Sequence, residues 1–241
     1  MCTVTFVNAS GKKIITSNRD EQVLRPNALQ PEKYFVGNKS LIFPKDPKAG
    51  GTWYALDEAG NVAVLLNGAD EKHQVAGTYR KSRGLILLDI LSHFSPIAAW
   101  NEINLMNIEP FTLILFQENN LYQLRWNGNT KDQVNLDANK NYIWSSTTLY
   151  PKEIREERQR WFLDYTSSIN GSSEKNMFHF HRYAKNENTE NGLVINRNNF
   201  LKTLSITQTT IENRLVKMKH YDLAKDKEYQ KSFNFVENKT N

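Results

Sequence analysis

Residues 1–21, MCTVTFVNASGKKIITSNRDE, decide how the rest of the chain is read. TVTFVN (3–8) alternates and is rich in β-branched residues, the pattern of a strand with one buried face. ASGKK (9–13) supplies a turn, and IITSN (14–18) returns as a second strand. The hairpin this predicts has Cys2 at its open end, beside residues 18–20, because antiparallel pairing sets sequence-distant residues side by side. Cys2 is also the chain's one cysteine. Two readings compete for it. Cysteine is among the most buried residue types, so Cys2 fits a small apolar residue starting a strand. Alternatively Met1 is removed, and Cys2 becomes an N-terminal nucleophile whose own α-amine serves as base.

The remaining composition narrows the classes. The chain has 241 residues, 39% hydrophobic and 24% charged, as in ordinary globular proteins. We expect one domain over residues 1–241, since no repeat or linker divides it. No apolar run approaches the roughly 20 residues of a membrane-spanning helix. CTVTFV lacks the flanks of a signal peptide, which predicts a cytoplasmic protein. A single cysteine rules out an internal disulfide and a polythiolate metal site. The net charge of +5 is spread along the chain, without the dense basic stripe or fold motif of a nucleic-acid binder. No phosphate-cradling glycine loop and no nucleophile elbow occur. We expect no cofactor and no metal, and the expected partner is a small-molecule substrate or ligand.

The order of elements predicts the architecture. After a long, Pro-punctuated connection (25–51), TWYALD, EAGN and VAVLLNG (52–68) make a second hairpin. SRGLILLDILSHF (82–94) and IAAWNEINLM (97–106) read as helices separated at Ser95-Pro96. FTLILFQ and LYQLRW (111–126) form a third hairpin, and NYIWSS (141–146) a short strand. PKEIREERQRWFLDYTSSI (151–169) starts a helix at Pro151 with an apolar stripe of Ile154, Trp161, Phe162 and Tyr165. EKNMFHFHRY (174–183) reads as a fourth helix, on which His179 and His181 point to nearly opposite faces and share no metal. NENTENG (186–192) is a polar loop. LSITQTTIEN, RLVKMKHYD and YQKSFNF (204–235) are strands. Helices arriving in pairs between hairpins argue against a doubly wound parallel sheet. They fit an α+β, four-layer αββα sandwich, two antiparallel sheets between helix layers.

Several of these pieces together resemble the NRDE family, whose members include transport and Golgi organisation proteins: MC at the start, SNRDE, Arg25-Pro26, GGTW (50–53), LLNG (65–68) and SRG (82–84). The family is similar to N-terminal nucleophile hydrolases, which the αββα order fits. The resemblance implies kinship with cysteine amidases that cleave penicillin V and conjugated bile acids. It also implies an alternative, a non-catalytic haem- or lipid-binding or trafficking protein on the same scaffold, with Trp, Tyr and Phe lining its pocket.

In the enzymatic reading the catalytic residues are Cys2, Arg19, Asp20 and Asn67. An α-amine with pKa near roughly 7.7–8.0 and a thiol near roughly 8.5 both sit close to working pH. Asp20 would orient the α-ammonium, Arg19 would stabilise the thiolate or hold Asp20, and the Asn67 amide would donate to an oxyanion. Asn18 would hold substrate or brace the loop. Trp53 is a substrate contact or a packing anchor. Asn67-Gly68 also reads as a plain turn, and the Arg–Asp pair of NRDE as a surface ion pair. Three features depart from the pattern: Ser17 stands where the amidases carry an Arg three residues before their Asp, Ser146 where many NRDE members carry Asn, and SITQTTI (205–211) offers hydroxyls and not an Arg.

Overall fold

The computed structural model describes residues 3–75, 77–169 and 172–235. Met1 and Cys2 lie outside the described residues.

The opening hairpin forms as its alternation requires. β1 (Thr3–Ala9) and β2 (Lys12–Gln22) pair antiparallel from Thr3 with Asn18 to Ala9 with Lys12. Ser10 and Gly11 make the two-residue turn, both at positive φ (53° and 91°), as a hairpin turn matched to strand twist demands. Val4 and Phe6 face the second sheet, in the larger core. Thr3 and Thr5 face the helices, where Thr5 Oγ1 lies 2.8 Å from His181 Nε2.

Two corrections concern the first half. The stretch expected to be a connection contains a hairpin, β3 (Leu29–Val36) and β4 (Lys39–Lys45). Its prolines masked it. Pro31 falls where the register shifts between Leu29 and Glu32, and Pro44 lies outside the paired positions, the sites strands reserve for proline. The second helix is also shorter than expected. β5 (Tyr54–Asp57) and β6 (Val62–Asn67) precede α1 (Arg83–Leu91) and α2 (Pro96–Glu102), and residues 103–106 leave the helix.

β7 (Phe111–Gln117), β8 (Asn120–Trp126) and β9 (Lys131–Leu136) complete one sheet, ordered β3-β4-β5-β6-β7-β8-β9. β9 is an edge strand with four exposed residues, so it carries no apolar alternation to announce it. The other sheet takes β10 (Tyr142–Ser145), β11 (Asn196–Arg197), β12 (Leu201–Glu212), β13 (Leu215–Asp222) and β14 (Lys227–Asn234). Its order is β10-β1-β2-β12-β13-β14, with β11 on β12.

The sheets stack on a common core that holds Val4, Phe6, Ile15 and Met218 from one and Tyr54, Val64, Ile114 and Phe116 from the other. Phe6 and Phe116 meet across it at 5.8 Å between rings, and Tyr54 Oη donates to Ile15 O at 3.0 Å. α1 and α2 cover the β3–β9 sheet. α3 (Lys152–Ser168) and α4 (Glu174–Tyr183) cover the sheet containing β1, over a smaller core of Val7, Ile14, Phe162, Met177, Phe180 and Leu193. The architecture is therefore the expected α+β sandwich of two antiparallel sheets between paired helices. No helix among the described residues is long and apolar enough to cross a membrane.

Candidate active site

β2 presents the NRDE motif in two directions. Asn18 and Asp20 point to the helix layer, and Arg19 points the other way, as strand alternation dictates. The Asn18 amide donates 3.0 Å to His181 O and also to Leu193 O, and its Oδ1 meets His181 Nδ1. Asn18 is fully buried, holds the end of α4 and the loop after it, and does not line the cleft that Arg19 enters. Asp20 is buried on the same side. Its Oδ2 accepts from Tyr150 Oη at 2.7 Å and its Oδ1 from Thr203 Oγ1 at 2.6 Å.

Arg19 enters a cleft of about 410 Å³ between the ends of β2 and β6, closed by the β4–β5 connection and the start of α1. Its guanidinium lies 4.5 Å from the Trp53 ring centroid, and its Nη2 is 3.5 Å from Asp46 and 3.7 Å from Glu21. Arg25 sends Nε and Nη2 to Asp46 Oδ2 at 2.7 and 2.6 Å. Burial works against the Asp46 carboxylate, but the Arg25 hydrogen bond and the charges of Arg25 and Arg19 outweigh it and hold its pKa below the usual value. Arg83 pairs with Glu109 at 2.9 Å. Asn67 lines the same cleft.

The glycines of the motifs explain themselves here. Gly51 and Gly84 pack backbone to backbone. A Cβ on Gly51 would sit 2.5 Å from Gly84 C, and one on Gly84 would sit 2.6 Å from Thr52 O. Only that closeness brings GGTW and SRG onto one wall. Gly68 turns the chain out of β6 at φ 82°, and a Cβ there would lie 2.1 Å from Thr147 Oγ1.

Arg19, Trp53 and Asn67 therefore meet in one cleft, together with Arg25, Gly51, Ser82, Arg83 and Gly84. Asp20 stands behind the cleft on the far face of β2. Among the described residues, Trp53 Nε1, Ser82 Oγ and Asn67 Oδ1 of the cleft lining are buried polar atoms with no hydrogen-bond partner. Ser146, the departure from the NRDE pattern, donates through Oγ to Asn67 O at 2.8 Å and so fixes the end of β6. A larger cleft of about 860 Å³ lies beyond that end, against Leu66, Gly68, Ser145 and Tyr150.

His181 and His179 diverge on α4, as expected. His181 is buried against Thr5 and Asn18, and His179 stacks on Tyr165. No group of three His, Cys, Asp or Glu among the described residues is placed to hold a metal. The sequence reading missed Tyr150, Arg158 and Thr203. Arg158 carried a signal: it stands four residues after Ile154 and four before Phe162, a charge within the apolar stripe of α3.

The sequence model of the family Transport and Golgi organisation 2 matches residues 1–221. The chain belongs to this family. No curated protein matches it. Solved structures do. The Caenorhabditis elegans ortholog of N-acylethanolamine-hydrolyzing acid amidase superposes with a TM-score of 0.60 at 13% identity, over 86% of this chain and 92% of that one. The conjugated bile acid hydrolase of Clostridium perfringens, in two variants, gives TM-scores of 0.52 and 0.53 at 11% and 10% identity, over 100% of both chains. At such identities the likeness shows the fold, and that fold is the N-terminal nucleophile hydrolase sandwich. This member of the Transport and Golgi organisation 2 family thus has that fold, with Arg19, Trp53, Asn67 and Gly84 from its motifs lining one cleft.

Proposed function

We propose that the chain is a cysteine N-terminal-nucleophile hydrolase that cleaves a linear amide or transfers its acyl group. Cys2, exposed by removal of Met1, is the nucleophile. The observation that carries this reading is the convergence of Arg19, Trp53 and Asn67 on one cleft. The β1–β2 register sets Thr3 against Asn18, the residue before Arg19. Removal of Met1 takes place in the cytoplasm, and the reading puts the protein there.

The chemistry then runs in two halves. The α-amine takes the thiol proton, and the thiolate attacks the amide carbon. The oxyanion formed is stabilised by the Asn67 amide, a contact worth roughly 2.7–4 kcal/mol when well aimed. Collapse expels the amine, which leaves with the proton from the α-ammonium, and a thioester remains. Water, giving a proton to the α-amine, cleaves the thioester to a carboxylic acid and restores the thiol. With an amine or alcohol in place of water the same step transfers the acyl group. Asp20, held by Tyr150 and Thr203, orients the α-ammonium, and Arg19 favours the thiolate.

The second reading, a binding or trafficking protein for haem or lipid, draws support from Trp53 Nε1, Ser82 Oγ and Asn67 Oδ1, which lack a partner among the described residues and suit a bound ligand with or without chemistry. The lining counts against a flat or lipidic ligand. Its aromatic residues are Trp53 and Tyr79, set among Arg19, Glu21, Arg25, Asp46, Arg83 and Glu109. To test the proposal, processed protein is incubated with N-acyl amides and activated acyl esters, and its intact mass is followed. An acyl adduct removed by hydroxylamine and missing in Cys2→Ser supports the hydrolase. No adduct from any ester, in a folded protein with Cys2 at its N-terminus, leaves the binding reading.

A further inference from the structure

We propose that Tyr150 and Arg158 are positioning residues for the nucleophile, acting from the helix layer on both flanks of the site. The inference rests on the cysteine-nucleophile reading and adds two residues that none of the family motifs contains.

Arg158 is fully buried on α3. Its Nη1 donates to Thr3 Oγ1, its Nη2 to Gly192 O, and its Nε to Asn191 O at 3.1 Å. Its guanidinium lies 3.6 Å from the centroid of the Tyr150 ring. Tyr150, also fully buried, donates its hydroxyl to Asp20 Oδ2 at 2.7 Å. One stacked pair thus touches Thr3, which follows Cys2 in sequence, and Asp20, the carboxylate assigned to orient the α-ammonium.

A purely structural role is a poor account of Arg158. Among the described residues no carboxylate pairs with it, and an apolar side chain would fill a helix stripe at less desolvation cost. What a guanidinium adds is a rigid planar fork that fixes several acceptors at set angles and stacks on an aromatic face. Here those acceptors are the start of β1 and the loop at residues 191–192, with the ring that carries the Asp20 donor lying against the fork. Tyr150 gives its proton to one oxygen of Asp20 and Thr203 gives its own to the other. Held by both, the carboxylate cannot rotate, and its remaining lone pairs have a fixed direction in which to receive the ammonium.

The test is the pH dependence of iodoacetamide alkylation, read by intact mass, on the processed full-length protein. Wild type, Tyr150→Phe, Arg158→Lys and, as an exposed control on α3, Leu163→Ala are compared. Tyr150→Phe removes one hydroxyl and should keep its melting temperature within a few degrees. Its alkylation midpoint should rise by about 0.5–1 pH unit, because the ammonium that favours the thiolate loses its fixed partner. Arg158→Lys keeps the charge, loses the fork and should shift the same way. If it does not fold, Tyr150→Phe alone decides. Leu163→Ala should follow wild type. A wild type with a low midpoint and a Tyr150→Phe profile that coincides with it overturns the positioning role alone. A wild type that alkylates like an ordinary thiol overturns the nucleophile reading, and this inference with it.

Discussion

Gly68 shows how much one residue type decides at the end of β6. A methyl group there would meet Thr147 Oγ1 at 2.1 Å on a backbone at φ 82°. The strain and the overpacking together should cost about 2–5 kcal/mol. Urea unfolding of Gly68→Ala measures it, and adding Thr147→Ala should return part of the loss by relieving the contact. Full stability in Gly68→Ala would mean that the turn is not built as described.

Buried histidines set the acid response. Burial, then the charge of Arg158, brings the His181 pKa down to about 3. Burial brings His220 down to about 4, against the opposing charge of Asp222. Both stay neutral in the folded protein, whereas in the unfolded chain they take up protons near the ordinary value of about 6.5. The unfolded state therefore binds more protons below that pH. Stability is full above it and falls on acidification toward about 4, by about 1.4 kcal/mol per pH unit for each histidine. Urea midpoints should drop steadily from pH 7 to 5, and His220→Gln should flatten the fall. A midpoint that rises on acidification contradicts the assignment.

At the scale of elements, the site depends on where α1 begins. Gly84 lies in its first turn, where alanine would ordinarily favour the helix by about 1 kcal/mol. Packing against Thr52 should override that preference. Gly84→Ala is expected to lower the melting temperature and to open the cleft wall formed by residues 51–53. A stabilised Gly84→Ala would show that the contact between the two segments is slack.

The same scale shows what the sequence could disclose. The first hairpin was legible, because β-branched alternation and an Ser10-Gly11 turn agree on one register. The hairpin of β3 and β4 was not, since Pro31 and Pro44 reproduce the signal of a loop while occupying unpaired positions. Motif spacing located Arg19, Trp53 and Asn67, which meet in one cleft. It left Asn18 two roles, and its partners on α4 and in the loop after it come from distant sequence that no local pattern discloses. Tyr150, Arg158 and Thr203 gather around Asp20 and Thr3 from more than a hundred residues away in sequence, and no local pattern records such long-range contacts.

For the whole molecule, two stacked sheets carry the motifs of the first third to one edge, and the second half supplies the layer behind them. The proposed hydrolase chemistry requires that the chain start be chemically available. Protein expressed in cells with ample methionine aminopeptidase should therefore have an intact mass lacking Met1. A fully retained Met1 would leave the α-nitrogen an amide, unable to act as a base.

The proposal that Cys2 is a nucleophile activated through Arg19 and Asp20 meets its most direct test in the alkylation rate of processed protein against pH. Cys2 is the only thiol, so intact mass reports it alone. The account predicts that iodoacetamide labelling persists below neutral pH, where a thiol with a pKa near roughly 8.5 would be almost silent. It predicts slower labelling in Asp20→Asn and none in Cys2→Ser. A profile rising only around the ordinary thiol pKa, and unchanged in Asp20→Asn, would contradict it and return Cys2 to the role of a strand's first residue.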